Sequence, residues 1–431
     1  MELFLVLLFL TGYVGIALEH VFKTNKAGTA LCMGTLCWTV FIVCSNSGDV
    51  NRILEHLNEE LSGIANILFL LIGAMTVVEV IDSHDGFCFI TESIRTKSKR
   101  KLLWIISLVT FFLSAALDNL TTTIIMASLL GKLISNRRDK LMFVSMLVIA
   151  ANAGGAWSPM GDVTTTMLWI GGQISTAGII TKVFLPSLVS MAVPLIAFSF
   201  FIKGKIVYSS ENVKNNHRKI MLPKKVRNII FFMGISILLF VPVFKALTHL
   251  PPYVGMLLGV GILWIYTGGI LYRKHRGGRL KEHLSVTSAL RKIETSTILF
   301  FLGILLCVGA LHHSGILSYM AEWLNRTIGN QNMIVTIIGA ISSIVDNVPL
   351  VAAAQGMYGF PTDHFFWEFL AYAAGTGGSM LIIGSAAGVA VMGQEKINFV
   401  WYVKNISLWA LLGYLAGALT CIVQEKIINP M

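Results

Sequence analysis

The chain has 431 residues, of which 55% are hydrophobic and 13% charged, and its formal net charge at pH 7 is +11. An ordinary soluble domain carries about 25% charged residues, so this composition excludes a soluble globular protein and indicates an all-α polytopic membrane protein. The basic residues lie in short loops between apolar runs, which is a pattern of membrane topology and argues against a nucleic-acid partner.

Residues 2–18 begin the chain as an apolar run without a basic segment before it, so we interpret them as a retained membrane crossing and not as a cleaved signal peptide. The six cysteines show no metal-ligand or redox spacing and are expected to pack as small hydrophobes. The positive-inside rule assigns four basic loops to the cytoplasm and both termini to the outside. These loops are 95–101, 136–140, 203–227 and 272–283.

Residues 102–131 therefore begin and end on the same side of the membrane. Two full crossings would need about 20 residues each, so the segment is too short for them. A re-entrant hairpin entered from the cytoplasm fits the length, and its tip falls at Asp118 and Asn119 in "ALDNLTTTIIM". Irregular backbone at membrane depth occurs only where it lines a cavity or is buried in protein. The tip is therefore predicted to line a site.

The remaining apolar segments alternate between the two sides. Crossings are predicted at 141–172, 180–203, 228–247, 253–272, 295–313, 367–392 and 399–423, and an amphipathic interfacial helix at 315–328. The stretch 334–360 differs from these crossings because it contains a second Asp-Asn pair, Asp346 and Asn347.

The two halves of the chain repeat their landmarks in one order and at nearly one spacing. "SAALDNLTTT" from Ser114 matches "SSIVDNVPLV" from Ser342, and the glycines of "AGGAWSPMGD" match those of "TGGSMLIIGS". Each copy holds five crossings and one hairpin, and five is odd, so the second copy is inverted. About ten transmembrane helices, two opposed hairpins and two broken helices are characteristic of secondary transporters, whose substrate lies at the repeat interface.

This duplication sets the predicted domain bounds. The first repeat is 1–203, with its hairpin at about 102–131 and its broken helix at about 141–172. A basic cytoplasmic linker follows at 204–227. The second repeat is 228–431, with its hairpin at about 334–358 and its broken helix at about 367–392.

The hairpins and broken helices concentrate oxygen-bearing side chains. They are Ser114, Asp118, Asn119, Thr121, Thr122, Asn152, Ser158, Asp162, Thr164, Thr165, Ser342, Asp346, Asn347, Ser379 and Ser385. No Lys or Arg lies at tip depth in these four segments. Carboxylate, amide and hydroxyl oxygens suit a hard cation, and the predicted metal ligands are Asp118, Asn119, Asp162, Asp346 and Asn347.

Buried carboxylates accept either a proton or a cation, because desolvation disfavours the bare charge. Competition between the two ligands, combined with alternating access, produces proton-coupled cation antiport. No ATP-binding motif or cofactor motif is present in the sequence, so an ion gradient is the expected energy source. Two alternatives remain open: a cation-coupled carrier of a dicarboxylate or oxyanion held by helix N-termini, and a cation channel or sensor without exchange.

Each of these residue groups also has a structural interpretation. The Asp-Asn pairs could serve only as helix N-caps, with Pro349 in a first turn. The threonines after Asp162 could bond to their own helix, and the glycines could be packing notches. Glu79, Asp82 and His84 could lie at the interface, or they could form a proton relay or pH sensor.

The motifs "SAALDNLTTT", "ANAGGAWSPMGD", "SSIVDNVPLVAAA" and "GGSMLIIGSAAGVAVMG", together with "GAMTVVEVIDSHDGF", resemble the NhaD-type sodium/proton antiporters of the ion transporter superfamily. The resemblance covers nearly the whole chain. It implies a fold shared with dicarboxylate/sodium symporters, in which a scaffold part dimerises and a transport part moves as an elevator. Motif positions used by the family are held here by Asp118, Asn119, Asp162, Thr164, Thr165, Ser342, Asp346 and Asn347.

The resemblance also implies exchange of sodium or lithium for protons, a role in sodium and pH homeostasis, and location in a bacterial inner membrane. The expected partners are small inorganic cations, the lipid bilayer and a second copy of the chain. Ser385 stands where the first repeat has Asp162, so the site is expected to be asymmetric, and the identity of the proton-carrying carboxylate stays open.

Overall fold

The computed structural model describes residues 1–17, 24–45, 50–94, 96–134, 136–202, 204–205, 222–271 and 284–428. The predicted linker 204–227 is therefore described only at its two ends. The predicted basic loop 272–283 lies outside the described residues.

The described part of the first half is helical. Its helices are α1 (Glu2–Ala17), α2 (Lys26–Val43), α3 (Val50–Ser83), α4 (Cys88–Ser93), α5 (Lys99–Leu117), α6 (Asn119–Leu133), α7 (Arg137–Ala156), α8 (Val163–Ile170) and α9 (Thr176–Phe201).

The described part of the second half is helical as well. Its helices are α10 (Lys224–Thr248), α11 (Pro252–Ile265, continued by a π-helical turn, Tyr266–Leu271), α12 (Val286–Lys292), α13 (Thr295–His313), α14 (Ile316–Thr327), α15 (Gln331–Ile341), α16 (Asn347–Met357), α17 (Phe365–Gly377), α18 (Ala386–Glu395), α19 (Phe399–Tyr402, continued by a π-helical turn, Val403–Ser407) and α20 (Leu408–Ile428).

Nine helical spans in the described residues are long and apolar enough to cross a membrane, and α1 and α15 are shorter apolar helices. The protein is therefore an all-α, multi-pass membrane protein, as its composition predicts. The predicted amphipathic helix is present as α14. The first predicted hairpin, about 102–131, corresponds to α5 and α6, and α5 begins at Lys99, capped by Ser98. How these helices lie relative to the bilayer stays a prediction.

Helices of the two halves pack reciprocally. α2 packs on α13 while α3 packs on α11, and α6 packs on α18 while α8 packs on α16. The α2–α13 contact is close because Gly34 faces the Gly303 carbonyl, where any side chain would clash. Small residues allow this approach between membrane helices. We call α1–α3 and α10–α14 the scaffold, and α5–α9 with α15–α20 the core.

Four helix interruptions meet inside the core. α5 and α6 are separated by Asp118 alone, and α15 and α16 by residues 342–346. α7 and α8 are separated by residues 157–162, and α17 and α18 by residues 378–385. The glycines before the last two interruptions are also packing notches. A methyl group on Gly154 would clash with the Phe111 carbonyl of α5, and one on Gly377 would clash with the Gly339 carbonyl of α15.

Several Lys–carboxylate ion pairs lie at one end of the bundle, which we call the basic face. Lys99 Nζ lies 2.5 Å from Asp139 Oδ2, and Lys140 Nζ lies 2.6 Å from Glu395 Oε2. Lys292 Nζ lies 2.8 Å from Glu79 Oε1. The positive-inside rule predicts this face to be cytoplasmic. The other end, where α10 and α13 finish, is called the opposite face.

Candidate cation-binding site

Asp118 forms the first tip and caps the helix that follows it. Its Oδ1 accepts from the Thr121 N–H at 2.7 Å, and its Oδ2 accepts from the Thr121 hydroxyl at 2.7 Å. Its backbone has φ 133° and ψ 160°, a region that essentially only glycine adopts without strain. The surrounding structure thus holds a carboxylate at a backbone position that disfavours any side chain.

Asp346 caps the second tip in a more ordinary way. Its Oδ1 accepts from the Val348 N–H at 3.2 Å, and its φ is −51°. Pro349 follows in the first turn of α16, where its missing N–H costs no hydrogen bond. Capping is therefore one role of both Asp residues.

Asp162 lies at the centre of the site and is 2% exposed. Its Oδ1 caps α8 by accepting from the Thr164 N–H at 2.9 Å and the Thr164 hydroxyl at 2.7 Å. Asn119 Nδ2, from the first tip, donates to its Oδ2 at 2.6 Å, and Asn347 Nδ2, from the second tip, donates to both oxygens at 3.3 Å. One carboxylate is thus held by side chains from both hairpins.

Asn152 joins this carboxylate cluster to the second broken helix. Its Oδ1 accepts from Asn119 Nδ2 at 3.1 Å. Its own Nδ2 donates to Ser379 Oγ at 2.9 Å and to Ser385 Oγ at 3.0 Å. The network therefore runs without a gap from the first tip to the interruption between α17 and α18.

Other predicted site residues bond to the backbone. Ser114 Oγ donates to the Ala151 carbonyl at 2.6 Å, and Ser342 Oγ donates to the Ala374 carbonyl at 3.0 Å, so each serine fastens a hairpin arm to its broken helix. Thr165 Oγ1 donates to the Asp162 carbonyl at 2.8 Å, as the back-bonding alternative expects. These three hydroxyls position the site by fixing its backbone.

A cavity of about 70 Å³ joins the two tips to the scaffold. A water molecule needs roughly 10–15 Å³ on this measure, so the space accommodates a small cation with a few waters. Its polar lining includes Asp118, Asn119, Asp162, Asp346 and Asn347. The three carboxylates of Asp118, Asp162 and Asp346 therefore share one cavity.

A second cavity lies between this one and the basic face. This wider vestibule is lined by Thr24, Asn25 and Glu294, and it shares Lys26, Leu120, Thr297 and Ala386 with the tip cavity. The shared residues come from the scaffold and from the core, so the path follows the boundary between them.

Lys26 is a site residue that sequence reasoning missed. It lies in the first turn of α2, lines both the cavity and the vestibule, and holds Nζ 4.9 Å from the centre of the Phe300 ring. Lys26 belongs to the scaffold, outside the predicted hairpins and broken helices that carry the other site residues. Its position beside Asn25, an N-cap residue after a break in the apolar run, was the available signal.

The predicted relay residues lie outside this cavity. On the basic face, Glu79 Oε1 accepts hydrogen bonds from the Ser83 hydroxyl at 2.9 Å and from Lys292 Nζ at 2.8 Å. His84 Nδ1 contacts the Val80 carbonyl at 2.7 Å within its own helix, and Asp82 is exposed. A role for them in proton relay or pH sensing stays a prediction.

Comparison with known proteins identifies the family. A family model described as "Citrate transporter" matches residues 13–368. Sodium/proton antiporter 1 of Arabidopsis thaliana is 48% identical over 95% of this chain and 70% of its own length. The Na(+)/H(+) antiporter NhaD of Alkalimonas amylolytica is 31% identical over 95% of this chain and 88% of its own length. The chain belongs to the NhaD-type sodium/proton antiporter family.

The fold has a solved relative as well. The YdaH transporter of Alcanivorax borkumensis matches with a TM-score of 0.60 over 94% of this chain and 99% of its own, at 10% sequence identity. Such distant similarity shows the fold alone. Membership in the family makes the protein a transporter and not an enzyme, as its sequence predicts.

Proposed function

We propose that the protein exchanges sodium or lithium for protons, with Asp118, Asp162 and Asp346 as the shared binding groups. One observation carries the proposal: Asn119 and Asn347, from two separate hairpins, both donate to Asp162 in a cavity that also holds the other two carboxylates. The names of the plant and bacterial relatives support the same exchange.

The geometry is suited to competition between a cation and a proton. Each Asn turns its amide N–H to Asp162, which leaves its carbonyl oxygen as a ligand for a hard cation. A dehydrated cation needs the ionised carboxylates, since only their charge offsets the loss of water. Protonation removes that charge and releases the cation, so the two ligands bind alternately.

Alternating access completes the proposed cycle. The tip cavity communicates with the basic face along the scaffold–core boundary, and movement of the core as an elevator would carry the site to the opposite face. The inverted repeat, homodimerisation through the scaffold, a bacterial inner-membrane location and a role in sodium and pH homeostasis belong to this proposal, following the family resemblance.

A second candidate function is cation-coupled transport of a carboxylate anion. Two observations favour it: Lys26 lines the cavity, and the matching family model is described as a citrate transporter. One ammonium group faces three carboxylates, however, so the ionised cavity stays net negative and repels anions. The balance of charge therefore favours cation exchange.

Proteoliposomes with a trapped pH dye distinguish the two functions. We expect addition of sodium or lithium, but not choline, to move protons against an imposed pH gradient, and we expect no uptake of labelled citrate. Citrate uptake that requires sodium, without sodium-driven proton movement at any pH between about 6 and 9, would overturn the proposal. Empty liposomes give the leak rate.

A further inference from the structure

A second group of ionisable side chains lies at the opposite face, within the scaffold. Glu60 of α3 meets His312 and His313 at the end of α13. His313 Nε2 lies 3.1 Å and His312 Nδ1 3.8 Å from Glu60 Oε1. One ligand atom from each of the three residues lies within 4.8 Å of the other two. His56 stacks on His313, with ring centroids 4.2 Å apart.

Two imidazoles and one carboxylate form a ligand set that zinc accepts, with its remaining position open to water. Zinc–ligand bonds of about 2.1 Å in a tetrahedron place ligand atoms about 3.4 Å apart, which is within the spread found here. The group is also reachable, because the side chains of Glu60, His312 and His313 are 28%, 45% and 17% exposed.

The neighbouring cavity connects this group to the core, which moves in the proposed transport cycle. It is lined by Glu60 and His312 from the scaffold and by Met167, Gln355 and Gly356 from α8 and α16 of the core. The His312 ring lies beside α16: a methyl group on Gly356 would be in van der Waals contact with it, 3.4 Å from its Cδ2. Fixing the ring therefore stiffens the scaffold–core boundary.

We propose that Glu60, His312 and His313 form a binding site for a divalent transition metal such as Zn²⁺, and that the bound ion slows transport from the opposite face. The site is separate from the carboxylates at the tips and does not depend on which substrate they carry. Hydrogen bonding of His313 to Glu60 without a metal is the alternative explanation of the cluster.

Calorimetric titration of the purified full-length protein with ZnCl₂ tests binding. We expect one Zn²⁺ per chain and no comparable binding of MgCl₂, since magnesium prefers all-oxygen octahedral sites. Glu60→Gln and His313→Asn should each weaken Zn²⁺ binding by at least roughly 10- to 100-fold, the loss that follows when only a residue supporting a ligand is removed. His249→Asn is the matched control: it removes an exposed histidine from the same face, and Asn tolerates its left-handed backbone, φ 58°.

Fluorescence gives a second readout, because the Trp38 ring centroid lies 6.1 Å from that of His313. CoCl₂ should quench emission in the wild type, and Trp38→Phe should remove that quenching. His312→Asn, at a half-exposed side chain, is the variant least dependent on correct folding. If His312→Asn and His313→Asn both bind Zn²⁺ with unchanged affinity, the proposed metal site is wrong.

The effect on transport is measured in proteoliposomes of known orientation. ZnCl₂ added at the opposite face should slow exchange in the wild type and in His249→Asn, and not in Glu60→Gln. Equal inhibition of all three proteins would overturn the inhibitory role. Asp162→Asn should still bind Zn²⁺ in calorimetry. This result would show that the metal site is independent of the carboxylate cluster, even if the proposed exchange is wrong.

Discussion

The two hairpin tips carry the same Asp-Asn pair but differ in three respects. The first tip breaks at one residue with strained backbone, whereas the second breaks over five residues with ordinary backbone at Asp346. Asn119 makes a short bond of 2.6 Å to Asp162, whereas Asn347 lies 3.3 Å from it. The broken helix beside the first tip supplies Asp162, and its counterpart beside the second supplies Ser385.

The Asp-Asn pair thus occurs at both tips, yet the site around the two tips is asymmetric. The first tip and Asp162 form a tight cluster, and the second tip approaches that cluster from the other hairpin. We infer that Asp162 and the first tip contribute most of the binding energy, and that the second tip closes the site. The predictions that follow test this ranking.

The largest effect is expected from Asp162→Asn. The change removes the charge to which both tips converge, and removing one partner of a buried charge cluster costs about 3 kcal/mol or more. Sodium-driven proton movement should fall by roughly 100-fold at normal protein levels. Ser385→Ala, at the corresponding cap of α18, should lower sodium-driven proton movement by less than about tenfold. Equal losses would mean that the site is symmetric.

The next effect concerns the two tip carboxylates. Asp118→Asn and Asp346→Asn each keep an oxygen that can cap the helix, so a capping role alone would leave exchange intact. Loss of a charged ligand should instead cost about 2 kcal/mol, more than tenfold in exchange, with the larger loss at Asp118. Thr121→Val is the control, because it removes one bond to Asp118 and keeps the charge. Near-normal exchange in both Asn variants would mean that the Asp-Asn pairs serve only to start helices.

A smaller effect, of opposite sign at the two tips, is expected on stability. Asp118→Gly relieves backbone strain worth about 1–3 kcal/mol and loses a cap worth a few tenths, so its free energy of unfolding should rise by about 1 kcal/mol. Asp346→Gly has no strain to relieve and should lower it by roughly 0.5–1 kcal/mol. Thermal unfolding of both purified variants is the measurement. Shifts in the same direction would contradict the difference in backbone strain.

Much of the fold follows from local sequence. The interruptions at Asp118 and Asp346 follow from placing Asp-Asn within apolar runs, since a helix N-cap is the least costly position for such residues. The hydrogen-bond partners within the site are harder to predict. That Asn152 would bridge Asn119 to Ser379 and Ser385 depends on how two broken helices cross, and no spacing in the sequence encodes a crossing.

The position of Lys26 could not be predicted from sequence spacing either. It is distant in sequence from every other polar residue of the cavity, and only the packing of α2 on α13 brings it there. The spacing of Ser114 and Ser342 relative to the Asp-Asn pairs predicts both serines at the site, yet their hydroxyls donate to backbone carbonyls. Sequence spacing predicts which positions correspond, whereas the role of each residue depends on the direction in which its side chain points.

The smallest effect is expected from Lys26→Gln, which keeps the length of the side chain and removes its charge. Because the ammonium lies in a partly hydrated path, its repulsion of an entering cation is worth about 0.5 kcal/mol. Half-saturation by sodium should therefore occur at roughly two- to threefold lower concentration. Lys292→Gln is the control, since Lys292 lies on the same face but binds Glu79. If wild-type liposomes take up citrate and Lys26→Gln does not, Lys26 serves as the anion's counter-charge, and the carboxylates at the tips bind only the coupling ion.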